Sequence, residues 1–260
     1  MSAPTTPVAP PATPYDDAFY ASQADGSLRS ARAVAPLVMG LVAPASVLDV
    51  GCGLGTWLAA FAELGVTDIL GIDGDYVDRT KLKIPADRFR PVNLNAPPPL
   101  GRAFDLAVCL EVAEHLPEAA APGLVQLLTG SAPAVLFSAA VPGQQGTDHI
   151  NEQWPAFWRE LFKARGFVRL DPIRPRVLRD RRVESWYQQN TFLFVRETEL
   201  AARPAWREEH RLATEFPFQI VREEAFAELT RPDTLRGVLG RLPGAAWGAV
   251  RRRLPGGGRR

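Results

Sequence analysis

The sequence predicts an α/β fold in which a mostly parallel seven-stranded sheet carries helices on both faces and ends in an antiparallel strand. Three observations lead there. From residue 27 onward, short apolar runs alternate with segments of helical period, the pattern of repeated strand–helix units. The first run, "SVLDV", ends directly on the glycines of "GCGLG", as a strand does when it turns sharply into a loop. The last two runs, "FVRLD" and "NTFLFV", are close enough in sequence to pair antiparallel.

The elements follow in order. "SLRSARAVAPLVMGLV" (27–42) has the apolar spacing of a helix, and "SVLDV" (46–50) reads as a buried parallel strand. "TWLAAFAELG" is a helix closed by Gly65. "DILGID", "FRPVNL" and "FDLAVCL" are the second, third and fourth strands, and a helix is expected to begin at the charged segment after the fourth. "EAAAPGLVQLL" is a helix, "AVLFSAAV" the fifth strand, and "QWPAFWRELFKARG" a helix ended by Gly166. No internal repeat is present.

The chain divides into a Pro/Thr/Ala tail over 1–14, a helical lid over 15–45, a core over 46–196, and a helical, Arg-rich extension over 197–260. The tail lacks the basic start and continuous apolar stretch of a signal peptide. A length of 260 residues suits one large domain. A composition of 46% hydrophobic and 23% charged residues with net charge +1 argues against a general nucleic-acid-binding surface. Cys52 and Cys109 both lie in apolar runs and read as small buried residues of a reducing compartment. No segment approaches the roughly 20 apolar residues of a membrane span, so a cytoplasmic protein is expected. "LRGVLGRLPGAAWGAVRRRL" (235–254) is either a terminal helix packed on its own domain or on the second subunit of a homodimer, or an amphipathic element at a membrane surface.

Asp49 precedes Gly51, Gly53 and Gly55, three glycines spaced two apart at the end of the first strand. The spacing differs from the G-x-G-x-x-G of dinucleotide folds. Asp73 closes the second strand, where a carboxylate can accept hydrogen bonds from two ribose hydroxyls. On these residues the sequence resembles the Rossmann-like class I S-adenosylmethionine-dependent methyltransferases over about residues 27–195. The resemblance implies S-adenosyl-L-methionine as cofactor, with the three glycines beneath its methionine part and Asp73 on its ribose. Asp49, Gly74, Asn93, Leu94 and Leu110 complete the implied cofactor set, and Asn93 stands where the family often has an Asp near the adenine.

The fourth strand delivers Glu111, Glu114 and His115 to the carboxyl edge of the sheet, where ligands bind in open α/β folds. On a helix these positions share one face. The alternative is a solvated face paired with arginines. His149 follows the fifth strand, so two of the chain's three histidines converge on that edge. Two carboxylates and two imidazoles make a mixed oxygen and nitrogen set for Mg²⁺, Mn²⁺, Co²⁺ or Zn²⁺. Glu111, Glu114, His115 and the later Asp148-His149 resemble the motif of small-RNA 3′-end 2′-O-methyltransferases and, in part, of ubiquinone-pathway O-methyltransferases. In the former, the resemblance implies, such residues hold a divalent ion, Mg or Mn, that binds vicinal hydroxyls of the acceptor. No RNA-binding domain is evident, so an RNA substrate does not follow. A metal-bound hydroxyl loses its proton more readily, and Glu114, His115 or His149 can complete the transfer. The metal-free alternative leaves His149 as general base.

Trp154, Trp186 and Tyr187, with Gln188, Gln189 and Asn190, read as a pocket wall whose rings stack on a sugar and whose amides bind its hydroxyls. Trp158 reads as core. "HINEQWP" followed by "WYQQN" resembles methyltransferases encoded among bacterial glycosyltransferases, which implies a saccharide or glycolipid acceptor. A phenol, a quinone or another small natural product is the alternative acceptor. A non-catalytic, cofactor-binding subunit is the alternative outside enzymes.

Overall fold

The computed structural model describes residues 17–214. The N-terminal tail and the 235–254 segment lie outside these residues. The apolar runs form the strands β1 (Ser46–Val50), β2 (Asp68–Asp73), β3 (Phe89–Pro91), β4 (Leu106–Leu110), β5 (Ala134–Ser138), β6 (Phe167–Leu170) and β7 (Phe192–Arg196). They make one sheet in the order β3-β2-β1-β4-β5-β7-β6. β1 through β5 pair in parallel, while β7 inserts antiparallel between β5 and β6. The predicted fold class is observed, including the antiparallel end.

Every residue of β4 and β5 is buried, because helices cover both faces. Side chains alternate between two core layers. Leu106, Val108 and Leu110 face a layer with α1 (Asp17–Val42) and α2 (Thr56–Glu63). Ala107 and Cys109 face the layer of α3 (Ala121–Ser131) and α4 (Pro155–Lys163). Trp158 belongs to this second layer and is 2% exposed. Two short helices, α5 (Arg174–Val177) and α6 (Ser185–Asn190), lie between β6 and β7, and α7 (Pro204–Ala213) follows the sheet. Among the described residues no helix is long and apolar enough to cross a membrane.

One local expectation is corrected. No α-helix begins at Glu111; a single 3-10 turn, Ala113–His115, stands there instead. Leu116 is already extended, at φ −100° and ψ 146°, because Pro117 disfavours helical backbone in the residue before it. The next α-helix starts at Ala121.

Candidate functional site

The strand order runs outward from β1 in both directions, to β2 and β3 on one side and to β4 and β5 on the other, so a crevice opens beyond the carboxyl ends of the parallel strands β1 and β4. The glycine turn after β1 forms one wall. Gly51 has φ 77°, and a Cβ there would lie 2.3 Å from Cγ2 of Val112, so only glycine lets this turn pass against the turn after β4. Asp73 is 4% exposed and tied to the same turn: Gly53 N–H donates to its Oδ2 at 2.7 Å, and Gly74 N–H to its Oδ1 at 2.7 Å. The Tyr76 hydroxyl also donates to Oδ1, at 2.6 Å.

These groups border a cavity of about 790 Å³ whose lining includes Gly53, Asp73, Asn93, Glu111, His115 and Trp186. That volume is within the range of small-molecule and cofactor sites. Gly51, Gly74, Leu94, Leu110 and Tyr187 also line it. Asp49 and Gly55 stand outside the wall: Asp49 is buried within β1, and Gly55 caps α2. Trp154 sits at the start of α4, 41% exposed and away from the cavity lining. Asn190 does not line the cavity but acts on a residue that does, donating to Glu111 Oε1 at 3.3 Å. Tyr76, and Ser27 from α1, also border the cavity and belong to no motif that marks them in the sequence.

Glu111 takes left-handed backbone, φ 54°, at the end of β4, a conformation that a non-glycine residue adopts at a cost. Its amide is held by Ser138 of β5, through the backbone oxygen and Oγ, each at 3.1 Å. Its carboxylate accepts from Gln144 Nε2 at 2.8 Å as well as from Asn190. Burial pushes the Glu111 carboxyl up, and hydrogen bonds from Ser138, Gln144 and Asn190 offset part of that.

The turn carrying Glu114 is fastened to the loop after β5. The N–H groups of Ile150 and Asn151 donate to the Glu114 carbonyl at 2.9 and 3.0 Å. This tie brings His149 beside His115, with ring centroids 5.0 Å apart at 83°. One ligand atom each from Glu114, His115 and His149 lies within 4.8 Å of the others. Two donors each about 2.1 Å from an ion are at most about 4.2 Å apart, so small rotations close the set.

The residues fit a cation in a second way. Glu114 is 0% exposed, and both its carboxylate oxygens lack a hydrogen-bond partner. Burial and then the charge of Glu111 push its carboxyl well up; the N–H groups of Glu114 and Ala140 oppose this without making bonds of normal geometry. His115 Nδ1 is likewise buried and unpartnered, and its imidazole is held below the usual range by burial and by His149. A divalent ion would satisfy these orphaned acceptors together. Glu111 lies outside the three-residue group, engaged by its amide partners. Glu152, which no sequence motif marks, places its Oε1 2.9 Å from His149 Nδ1, three positions earlier in the chain.

Residues 20–128 match the family model described as a methyltransferase domain, a stretch that includes the glycine turn, Asp73 and the Glu111–His115 segment. No curated protein matches the chain. Among solved structures, a sugar N-methyltransferase from a Streptoalloteichus species is 18% identical, with TM-score 0.55, over 75% of this chain and 98% of that one. The magnesium protoporphyrin IX methyltransferase of Synechocystis with bound S-adenosylhomocysteine is 20% identical, with TM-score 0.50, over 68% of this chain and 87% of that one. At such identities the likeness is one of fold, the class I methyltransferase fold.

Proposed function

We propose that the protein is an S-adenosylmethionine-dependent O-methyltransferase that acts on a hydroxyl of a sugar or saccharide with a divalent metal. The observation that carries this reading is that His115, grouped with Glu114 and His149, lines the same cavity as Gly53 and Asp73. Support for the cofactor comes from the methyltransferase-domain match. Support for a sugar comes from Trp186, partly exposed on the cavity wall, where a ring can stack on an apolar sugar face.

When bound, S-adenosylmethionine offers an electrophilic methyl group, and a divalent ion lowers the pKa of a hydroxyl that it binds. The chain supplies position and proton transfer. Asp73, fixed by Gly53 and Gly74, presents a rigid acceptor for ribose hydroxyls. Glu114, His115 and His149 would hold the ion. Glu111, fixed by Gln144 and Asn190, presents a carboxylate on the cavity wall to orient an acceptor hydroxyl. With an ion bound, the departing proton is left to the Glu111 carboxylate or to solvent; in the metal-free alternative the one free nitrogen of His149, backed by Glu152, takes it up instead. Alignment of the acceptor with the methyl group supplies much of the remaining rate.

The test is release of S-adenosylhomocysteine from a panel of saccharides and small phenols. Stripped of metal by a chelator, the protein is expected to lose most of its activity and to regain it with Mn²⁺ or Mg²⁺. Full activity in chelator overturns the metal part and favours metal-free catalysis by the His149–Glu152 pair. Turnover of phenols alone overturns the sugar acceptor.

A further inference from the structure

Glu152 has a larger part in the site than contact with one imidazole. The loop between β5 and α4 is folded around its carboxylate. Gly143 N–H donates to Oε2 at 2.6 Å, and Gln145 N–H donates to Oε1 at 2.9 Å. Oε1 also lies 2.9 Å from His149 Nδ1. Two non-glycine residues of this loop, Gln145 and Asp148, take left-handed backbone at φ 60° and 58°. Such conformations persist where surrounding contacts over-determine them. Both side chains of the pair are largely enclosed, 12% exposed for His149 and 19% for Glu152. The ring has room only because residue 146 is glycine, since a Cβ there would lie 2.2 Å from His149 Nε2.

A carboxylate has acceptors and no donor, so the contact requires hydrogen on Nδ1. We propose that Glu152 is a positioning residue that fixes His149 as the Nδ1–H tautomer, leaving the lone pair on Nε2. The proposal rests on His149 belonging to the reactive site, and it serves either role given to that residue. A metal ligand and a general base both need an unprotonated nitrogen, and the partner of the other nitrogen decides which one that is.

The experiment is ¹⁵N NMR of the full chain labelled at histidine, at about pH 8, where ordinary imidazoles are neutral. The chain has just three histidines. His210 Nδ1 lies 3.0 Å from the carbonyl oxygen of Arg169, which can only accept, so it supplies an Nδ1–H reference. Wild-type His149 is expected to show Nδ1–H. In Glu152→Ala the acceptor facing Nδ1 is gone, so His149 is expected to lose its Nδ1–H preference and shift toward Nε2–H. Mn²⁺ affinity, measured by water-proton relaxation, is expected to fall by about ten- to a hundredfold in the same variant. An Nε2–H tautomer in the wild type overturns the proposal, and this measurement needs no variant to fold. Retention of a full Nδ1–H preference in a folded Glu152→Ala overturns it too. A wild type that shows Nδ1–H but binds no Mn²⁺ supports the role of Glu152 and removes the metal from the proposed function.

Discussion

At the scale of single residues, Asp49 is the clearest case of a group held against its own solvation. It is 3% exposed within β1, and its Oδ2 is buried without a partner. Burial first, and the charge of Asp73 second, push its carboxyl up to about 8. An ordinary Asp in the unfolded chain titrates near about 3.9, so the folded state holds this proton more tightly. The stability this provides is fully present below the unfolded pKa and is lost as pH rises toward about 8. Glu111 and Glu114 are shifted in the same direction and add to the trend. Thermal melts of ligand-free protein from about pH 5 to 8 should therefore show a falling midpoint. Asp49→Asn should flatten that slope in part; an unchanged slope would assign the whole effect to the glutamates. Asp73, His115 and His149 were legible in the sequence because reactive types stood at strand ends. Glu152 and Gln144 are not legible, because "PGQQGTD" marks a turn without saying which backbone N–H groups and side chains the folded loop brings together.

At the scale of elements, the glycine turn and the Glu111–His115 turn are mechanically joined through Gly51 and Val112. A Cβ at residue 51 would overlap both Cγ atoms of Val112, at 2.3 and 2.6 Å, and the backbone there is left-handed. Gly53 shares that backbone type, at φ 51°, but a Cβ there would meet nothing within 4 Å. The two alanine variants should therefore differ. Gly51→Ala carries both backbone strain and overpacking, about 1–3 kcal/mol for each, and should lower the unfolding midpoint while displacing the turn after β4. Gly53→Ala carries only the backbone cost, about 1–2 kcal/mol, and should act mainly by weakening S-adenosylhomocysteine binding in calorimetry. Equal melting temperatures for the two variants would argue against the Gly51–Val112 contact. The strands were readable because burial on both faces demands continuous apolar runs, which begin and end sharply. The turn after β4 has helical spacing in the sequence, yet Pro117 stops it after one 3-10 turn. Its tie to Ile150 and Asn151 is a long-range backbone contact that no local pattern encodes.

At the scale of the whole molecule, the sequence reading set residues 197–260 apart as an extension, whereas α7 contributes to the main core. Trp206 is 1% exposed, joins the layer built by α1 and α2, and donates through Nε1 to the Leu41 carbonyl at 3.0 Å. The Arg203 guanidinium covers its ring at 4.2 Å. Arg203, Arg207, Glu208 and Glu209 surround Trp206 in the chain, so the segment has the local composition of a solvated helix and only its long-range partner marks the Trp as core. Trp206→Ala removes this anchor, and a buried Trp truncated to Ala costs about 3–5 kcal/mol, a large share of the about 5–15 kcal/mol that holds a typical domain. The same α1 that receives Trp206 near its end carries Ser27, which lines the cavity, and Arg29, which pairs with Glu184 at 2.6 Å. Leu41 and Ser27 are separated along the helix by about 21 Å at 1.5 Å per residue. Effects that far apart usually add independently, so Trp206→Ala should lower the denaturation midpoint while leaving S-adenosylhomocysteine affinity within about threefold. If affinity falls with the midpoint, then α1 transmits the state of its far end to the cavity, and the helix acts as one rigid lid. If neither changes, α7 does not contribute to the core as its burial implies. Trp206→Phe keeps most of the apolar contact and loses the Nε1 bond, so its smaller loss would separate packing from hydrogen bonding in the same anchor.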